Sequence, residues 1–250
     1  MPASGTTRPS RFDHCRAATY PLVLKLAGGI TSENVRLLKS FAEAEYWINR
    51  MFGSGATTLE PPVGGPRGAG RRFRESLGYL IKGVPPRGSD RSDLQRGYVL
   101  LQEFLPGNDF DTRVTVIGKR AFGFRRMNRP GDFRASGSGR IDFDPAKVDP
   151  QIVRLAFRAQ QKLESQSLAI DGMYWQGRPV IVEISYYYEG WALTECPGHW
   201  ELHGTPEDGR LEWVPGSVRP DDAILDDFLE ELAASAGRRR EPLSHVSTTI

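Results

Sequence analysis

Cysteine is scarce in this chain of 250 residues, which contains only Cys15 and Cys196. The two cysteines lie far apart and form no Cys-x-x-Cys pair, so a disulfide framework is not expected. A reducing compartment, the cytoplasm, is therefore the simplest expectation for its location.

Long apolar runs are also missing. No stretch of 18 apolar residues occurs, so no membrane-spanning helix is expected. Residues 1–19 are polar and lack the apolar centre of a signal peptide. The formal net charge of +2 is too small to indicate nucleic acid. The composition therefore predicts neither a membrane nor a nucleic-acid partner.

Lysine is rare beside arginine, and several arginines cluster within residues 113–140. The planar guanidinium group donates two parallel hydrogen bonds to one phosphate or carboxylate, which a lysine ammonium group cannot do. This cluster therefore favours an anionic ligand. A chain of this length has room for one large domain or two lobes.

The first part of the chain predicts a strand, a glycine-rich loop and a helix. Residues 1–18 are rich in Ser, Thr, Pro and Arg and are predicted to be disordered. A buried strand is predicted over 20–26, and Ser32 is predicted to cap a helix over 33–50. The loop at 27–32 could bind phosphate through its backbone N–H groups, or it could be a plain turn. The motif alone leaves both open.

The rest of the chain predicts paired strands and two helices. Tight turns around Gly118 and Gly177 indicate two hairpins, and the apolar stripe of the first helix ends at Leu163. Strands are predicted at residues 97–105, 111–117, 120–127, 141–143, 167–175 and 179–185, and helices at 150–165 and 220–234. Residues 53–96 are predicted to form a long loop with a short apolar element at 77–81.

Two carboxylates stand out in the second hairpin. Glu183 interrupts an otherwise apolar strand, where a carboxylate is costly unless a cation or hydrogen-bond donors hold it. Asp171 lies in the neighbouring strand, and hairpin pairing could bring the two together. One reading is a Mg²⁺ site completed by nucleotide phosphates. The other is a salt bridge to Arg113, Arg125 or Arg126.

At these motifs the chain resembles the ATP-grasp superfamily, and more closely its RimK-like and glutathione-synthetase-like branch. It also resembles uncharacterised bacterial members with a Glu-Ile-Ser-Tyr strand and a downstream Cys-Pro-Gly-aromatic turn. The stretches that match the superfamily are residues 24–25, 27–29, 102–105, 109–114, 125–126, 132–139, 171–172 and 182–185. Those that match the uncharacterised members are residues 183–186 and 196–200. The resemblance covers about residues 20–200.

The resemblance implies an α+β fold, the ATP-grasp fold, with two α+β lobes and the nucleotide between them. The expected divisions are a disordered N-terminus at 1–18, an N-terminal lobe at 19–101, a C-terminal lobe with the metal site at 102–234, and a disordered tail at 235–250. A domain that precedes the central lobe in this family is expected to be missing from this chain.

The resemblance also implies residue roles. ATP would be bound by Lys25, Gly28, Gly29, Gln102, Glu103, Phe104 and Leu105. The phosphoryl group or the acceptor would be held by Arg113, Arg125, Arg126 and Arg134. Mg²⁺ would be held by Asp171, Glu183 and Ser185.

The implied reaction is ATP- and Mg²⁺-dependent ligation, in which a small-molecule or peptide carboxylate becomes an acylphosphate and an amine then attacks it. The family usually has asparagine where this chain has Ser185, which puts a two-metal site in doubt. Two alternatives remain open: a nucleotide-binding protein without ligase activity, and phosphoryl transfer to a hydroxyl.

Overall fold

A computed structural model describes residues 12–27, 34–57 and 94–238. The chain divides into two compact units, Met1–Phe104 and Leu105–Ile250. Both combine helices with antiparallel sheet, so the predicted α+β class is confirmed. Within the described residues, no helix is both long and apolar enough to span a bilayer.

The first unit is a three-stranded antiparallel sheet with helices. Its elements are α1 (Asp13–Ala17), β1 (Leu22–Lys25), β2 (Val35–Leu38), α2 (Phe41–Phe52) and β3 (Leu100–Glu103). The strand order is β2-β1-β3, so β1 is central. Leu22 and Leu24 pack with Trp47 and Ile48 of α2 in one apolar cluster. Side chains alternate along a strand, so Val23 and Lys25 lie on the opposite face of the sheet.

The prediction of one helix over residues 33–50 is wrong. Residues 35–38 form β2, which pairs with β1, and the helix begins only at Phe41. Its cap is Ser40, whose side chain accepts a hydrogen bond from the Glu43 N–H, while Glu43 accepts one from the Lys39 N–H at 2.8 Å. The first bond is that of an N-cap, while Glu43 accepts from the residue before the cap, and together the two bonds place the cap eight residues after Ser32.

The prediction of disorder over residues 1–18 fails for residues 12–18. Helix α1 lies here, and Cys15 is buried in the same cluster as Leu24 and Met51. The Tyr20 hydroxyl donates to the Cys15 carbonyl at 2.9 Å, which fastens the end of α1 to the start of β1. The predicted glycine loop and the apolar element at 77–81 lie outside the described residues.

The second unit is built on one large antiparallel sheet. Its elements are β4 (Phe110–Ile117), β5 (Arg120–Met127), β6 (Ile141–Asp142), α3 (Pro150–Lys162), β7 (Ser167–Trp175), β8 (Arg178–Ser185), α4 (Gly190–Thr194), β9 (Gly198–His203), β10 (Arg210–Pro215) and α5 (Pro220–Arg238). The strand order is β10-β9-β5-β4-β7-β8, with β6 paired to β5. Both predicted hairpins are present, whereas the β9–β10 hairpin was not predicted.

Helices cover the two faces of this sheet with different cores. On the α3 face, Val114 and Ile170 pack against Ile152 and Phe157. On the other face lies a second cluster, whose buried members are Ile117, Phe122, Phe124, Ala192, Leu193, Cys196 and Ala223. Helix α3 agrees with the prediction except at its end, because Leu163 is exposed rather than part of the apolar stripe.

Candidate functional site

The predicted carboxylates face each other across the β7–β8 hairpin. Asp171 pairs with Glu183, and directly opposed residues of antiparallel strands project to the same face. The pairing depends on a β-bulge, because Gly172 pairs with Ile181 and Val182 is the extra residue. Without the bulge, Val182 would lie opposite Asp171 and Glu183 would project from the other face.

Asp171 is held by two arginines. Arg113 donates to it through Nε and Nη2, at 2.7 and 2.9 Å. The Nη2 atom of Arg126 lies 2.7 Å from Oδ2 of Asp171. The salt-bridge alternative left open by the sequence is therefore present in the structure for Asp171.

Asp111 completes this arrangement. Arg126 donates to it through Nε and Nη2, both at 2.7 Å. Asp111, Arg113, Arg126 and Asp171 thus form one group with no net charge, which we call the ion cluster. Its side chains are only 8% to 20% exposed. Buried ions are tolerated when they are paired and hydrogen-bonded, as each of these is.

Strand register brings the ion cluster together. Asp111 pairs with Arg126 across β4 and β5, and Arg113 pairs with Asp171 across β4 and β7. These three strands are adjacent and none is an edge strand, so each is hydrogen-bonded to a neighbour on both sides. Asp111 was not among the site residues predicted from the sequence. Counting outward from the Gly118 turn places it opposite Arg126 and could have identified it.

The two aspartates differ in acidity. Burial opposes the ionisation of Asp171, but the charges and hydrogen bonds of Arg126 and Arg113 outweigh it and hold its pKa below the ordinary value. Burial raises the pKa of Asp111, and Arg126 offsets this only in part. The pKa values shift in opposite directions because two arginines bind Asp171 and one binds Asp111.

Glu183 and Ser185 are placed differently from expectation. Strand β8 is an edge strand without a buried residue, and Glu183 is exposed, so the premise of a buried carboxylate was wrong. The Ser185 hydroxyl donates to the Tyr187 carbonyl at 2.7 Å and accepts from its N–H at 3.1 Å. That hydroxyl therefore stabilises the turn that ends β8.

These positions do not fit a Mg²⁺ site as they stand. Both oxygens of Asp171 accept hydrogen bonds from arginine, and the Ser185 hydroxyl is engaged in a turn. In the described part of the chain, no group of three or more His, Cys, Asp or Glu side chains is arranged to hold a metal ion. Mg²⁺ prefers carboxylate oxygens and water, so at least one arginine must leave Asp171 before the ion can bind there.

The other two predicted arginines lie apart from the ion cluster. Arg125 is the neighbour of Arg126 in β5 and projects from the opposite face, where its guanidinium group lies 4.1 Å from the ring centre of Phe110. Arg134 lies in the loop after β5 and binds Asp132 at 2.6 Å. Burial opposes the ionisation of Asp132, yet bonding and charge from Arg134 hold its pKa below the ordinary value.

The residues of the first unit that were predicted to bind ATP lie on both faces of its sheet. Lys25 pairs with Leu100 and Val23 pairs with Gln102, so all four project from the face opposite α2. Glu103 pairs with Leu22 and projects toward α2. Leu100 is an exposed apolar residue on the Lys25 face that the prediction missed.

Four other residues were also predicted to bind ATP. Phe104 follows β3 and ends the first unit, while Leu105 begins the second. Gly28 and Gly29 lie outside the described residues.

No protein-family model and no curated protein sequence matches the chain. Among solved structures, it is similar to D-alanine–D-alanine ligase from Bacillus anthracis, at 12% identity and a TM-score of 0.42, over 95% of this chain and 61% of that one. It is also similar to phosphoribosylamine–glycine ligase from Thermotoga maritima, at 18% identity and a TM-score of 0.41, over 78% and 53%.

A third similar structure is the biotin carboxylase domain of the 2-oxoglutarate carboxylase of Hydrogenobacter thermophilus, in complex with MgADP, ADP and bicarbonate. It shares 11% identity at a TM-score of 0.40, over 71% of this chain and 33% of that one. The chain thus spans between one third and about three fifths of the length of these three proteins.

Proposed function

We propose that this chain is an ATP-grasp protein of the RimK-like branch that binds ATP and joins a carboxylate to an amine. The observation that carries the proposal is the ion cluster together with Glu183, which pairs with the cluster residue Asp171. Two arginines, Arg113 and Arg126, thus share one face of the sheet with two opposed carboxylates. The motifs of this stretch resemble that superfamily. Arginine pairs of this kind suit phosphoryl and carboxylate groups.

In the proposed reaction, an acceptor carboxylate oxygen attacks the terminal phosphorus of ATP, and ADP leaves. The amine then attacks the acyl carbon, and phosphate leaves. Arg113 is the more exposed cluster arginine, at 20%, and we assign it to the incoming anion. Arg126 stays with Asp111 and positions it. In the first unit, we assign nucleotide contacts to Lys25 and Gln102, which share a sheet face.

Nucleotide binding without ligation is the second candidate. A specific observation favours it: Asp171 is already neutralised by two arginines, and Ser185 stands where the resembling family usually has asparagine. A chain that retains these contacts when ATP binds would lack the carboxylate needed for catalysis. Phosphoryl transfer to a hydroxyl has no comparable support.

Calorimetric titration of ATP into the full chain, with and without Mg²⁺, tests the proposal. We expect binding that strengthens with Mg²⁺ and loses that dependence in Glu183→Ala. Glu195→Ala changes another exposed glutamate of the same unit and should behave as wild type. Binding that ignores Mg²⁺ in every variant would favour the second candidate, and no binding by folded wild type would refute both.

Turnover separates the two candidates further. A ligase forms ADP and phosphate only when both a carboxylate and an amine are supplied, because the acylphosphate needs a nucleophile to complete the cycle. Nucleotide binding alone gives no ADP with any acceptor pair.

A further inference from the structure

The two oxygens of Asp171 are bonded unequally by the arginines of the ion cluster. Oδ1 accepts from Nε of Arg113 at 2.7 Å. Oδ2 is shared, since it lies 2.9 Å from Nη2 of Arg113 and 2.7 Å from Nη2 of Arg126. If Arg113 moved away, Oδ1 would become available to another ligand while Oδ2 kept its bond to Arg126.

The two arginines also differ in how firmly they are held. Arg126 is bound to both oxygens of Asp111, each at 2.7 Å, and only 8% of its side chain is exposed. Arg113 pairs with Asp171 on one side and with Phe124 on the other, and a phenyl ring cannot accept an ion pair. The side chain of Arg113 is 20% exposed. Arg113 can therefore leave Asp171 more readily than Arg126 can.

The charges around Asp171 do not balance once Glu183 is counted. Glu183 pairs with Asp171 and shares its face, and like charges directly opposed on a sheet repel each other. Together with Asp111, these carboxylates exceed the two arginines by one negative charge. A divalent cation in the place of Arg113 would remove this excess, whereas a divalent cation added beside Arg113 would reverse its sign.

We propose that Arg113 and a divalent cation are alternative partners of Asp171. Without ligands, Arg113 occupies the position of the cation, which is why Mg²⁺ does not fit the site as it stands. When an anion takes the guanidinium group of Arg113, Oδ1 of Asp171 is released and the cation binds at Asp171 and Glu183. The inference rests on the proposed function, because Arg113 is the residue assigned there to the incoming anion.

This exchange couples the binding of the cation to the binding of the anion. Each ligand favours the position of Arg113 that the other ligand needs, so each raises the affinity for the other by the same factor. A cation alone must displace a two-bond, charge-assisted pair, and it therefore binds weakly. The site thus favours a cation and an anion that bind together.

Binding of Mn²⁺ in the absence of nucleotide tests the exchange, with the free ion measured by electron paramagnetic resonance. Arg113→Gln should strengthen Mn²⁺ binding by about tenfold or more, because a charge-assisted pair no longer competes with the ion. Adding Glu183→Ala to that variant should remove the gain. Arg158→Gln is the matched control, because it breaks an exposed pair with Glu207 and should bind Mn²⁺ as the wild type does.

Sulfate tests the coupling in the wild type, where no substitution disturbs the fold. It is a tetrahedral dianion and stands in for a phosphoryl group. We expect sulfate to strengthen Mn²⁺ binding to the wild type, because it draws Arg113 away from Asp171, and to leave Mn²⁺ binding to Arg113→Gln unchanged. If Arg113→Gln does not fold, the measurement on the wild type decides alone.

Three results would overturn the inference. A folded Arg113→Gln that binds Mn²⁺ no better than the wild type would show that Arg113 does not compete with a cation. A gain that survives Glu183→Ala would place the ion elsewhere. Sulfate that fails to strengthen binding to the wild type would show that the two ligands are not coupled. Neither measurement uses a nucleotide, so a failure to bind ATP would refute the proposed function without deciding this one.

Discussion

At the residue scale, Asp171 is the carboxylate on which the ion cluster depends. It is the only cluster member that contacts both Arg113 and Arg126, and it is almost fully buried. Removing one partner of a buried ion pair leaves the other charge without compensation, which costs more than the intact pair contributes. The cluster is therefore more sensitive to partial disruption than its zero net charge suggests.

We predict that Asp171→Asn destabilises the protein by about 3–5 kcal/mol at neutral pH, because two guanidinium groups lose their shared anion. Urea denaturation measures the change. The control is Glu207→Gln, which breaks an exposed pair with Arg158 and should cost under about 1 kcal/mol. If the two variants cost the same, the buried cluster is not formed in solution.

The stability difference between the wild type and Asp171→Asn should depend on pH. Because the pKa of Asp171 is lower in the folded state than in the unfolded state, its ionisation stabilises the fold above the unfolded value, about 3.9. This advantage over Asp171→Asn should stay constant near neutral pH and shrink as the pH falls below that value toward the folded-state pKa. An advantage that grows on acidification would contradict the assignment.

At the element scale, the β7–β8 hairpin must approach α3 closely at its bulge. A Cβ on Gly172 would lie 2.8 Å from Cγ2 of Ile152, closer than side chains tolerate. Gly172 directly follows Asp171 and pairs with Ile181 beside the bulge, so α3 packs against the hairpin next to the site residue. Packing and site geometry are therefore coupled at this position.

We predict that Gly172→Ala costs about 1–3 kcal/mol through overpacking, and that the cost falls in an Ile152→Ala background. A double-mutant cycle by chemical denaturation measures the coupling. Gly177→Ala provides the control, because this glycine has φ of 76° and no atom near its missing Cβ. Its cost is backbone strain alone and should be equal in both backgrounds.

The hairpins were predictable from sequence because their turns determine the register. Gly118 and Gly177 both adopt positive φ, which favours glycine and indicates where each strand reverses. The prediction of one helix over residues 33–50 failed because a strand and a helix follow each other within that range. Val35 and Leu38 fit a helical stripe but pair with β1, and the Ser-x-x-Glu pattern from Ser40 to Glu43, which signals a helix start, was overlooked.

At the scale of the whole molecule, the pairing of strands was easier to predict from the sequence than the side-chain contacts that the pairing creates. The opposed Asp171 and Glu183 were anticipated, but the capture of Asp171 by two arginines depends on three strands meeting in register. The exposed apolar side chains of α5 show the same limit, since helical spacing reveals an apolar side but not whether a core covers it. Both outcomes are set by tertiary packing, which no local pattern contains.

We predict that saturating ATP raises the thermal midpoint of the wild type, because a ligand that binds only the folded state stabilises it. Lys25→Ala should reduce this shift, since Lys25 is assigned to the nucleotide. Lys39→Ala replaces an exposed lysine of the same unit and should leave the shift unchanged. Equal shifts in all three proteins would remove Lys25 from the proposed site.

The extra residue in β8 also constrains the spacing that related sequences can have. Outward from a two-residue turn, facing partners are separated by odd numbers of positions, as with Trp175 and Arg178. Asp171 and Glu183 are separated by an even number and still face each other, because Val182 shifts the count. A relative with the same turn and an odd interval must lack the bulge, or its two carboxylates project from opposite faces. Whether the interval is odd or even, taken together with the presence or absence of the bulge, thus decides whether the two carboxylates share a face.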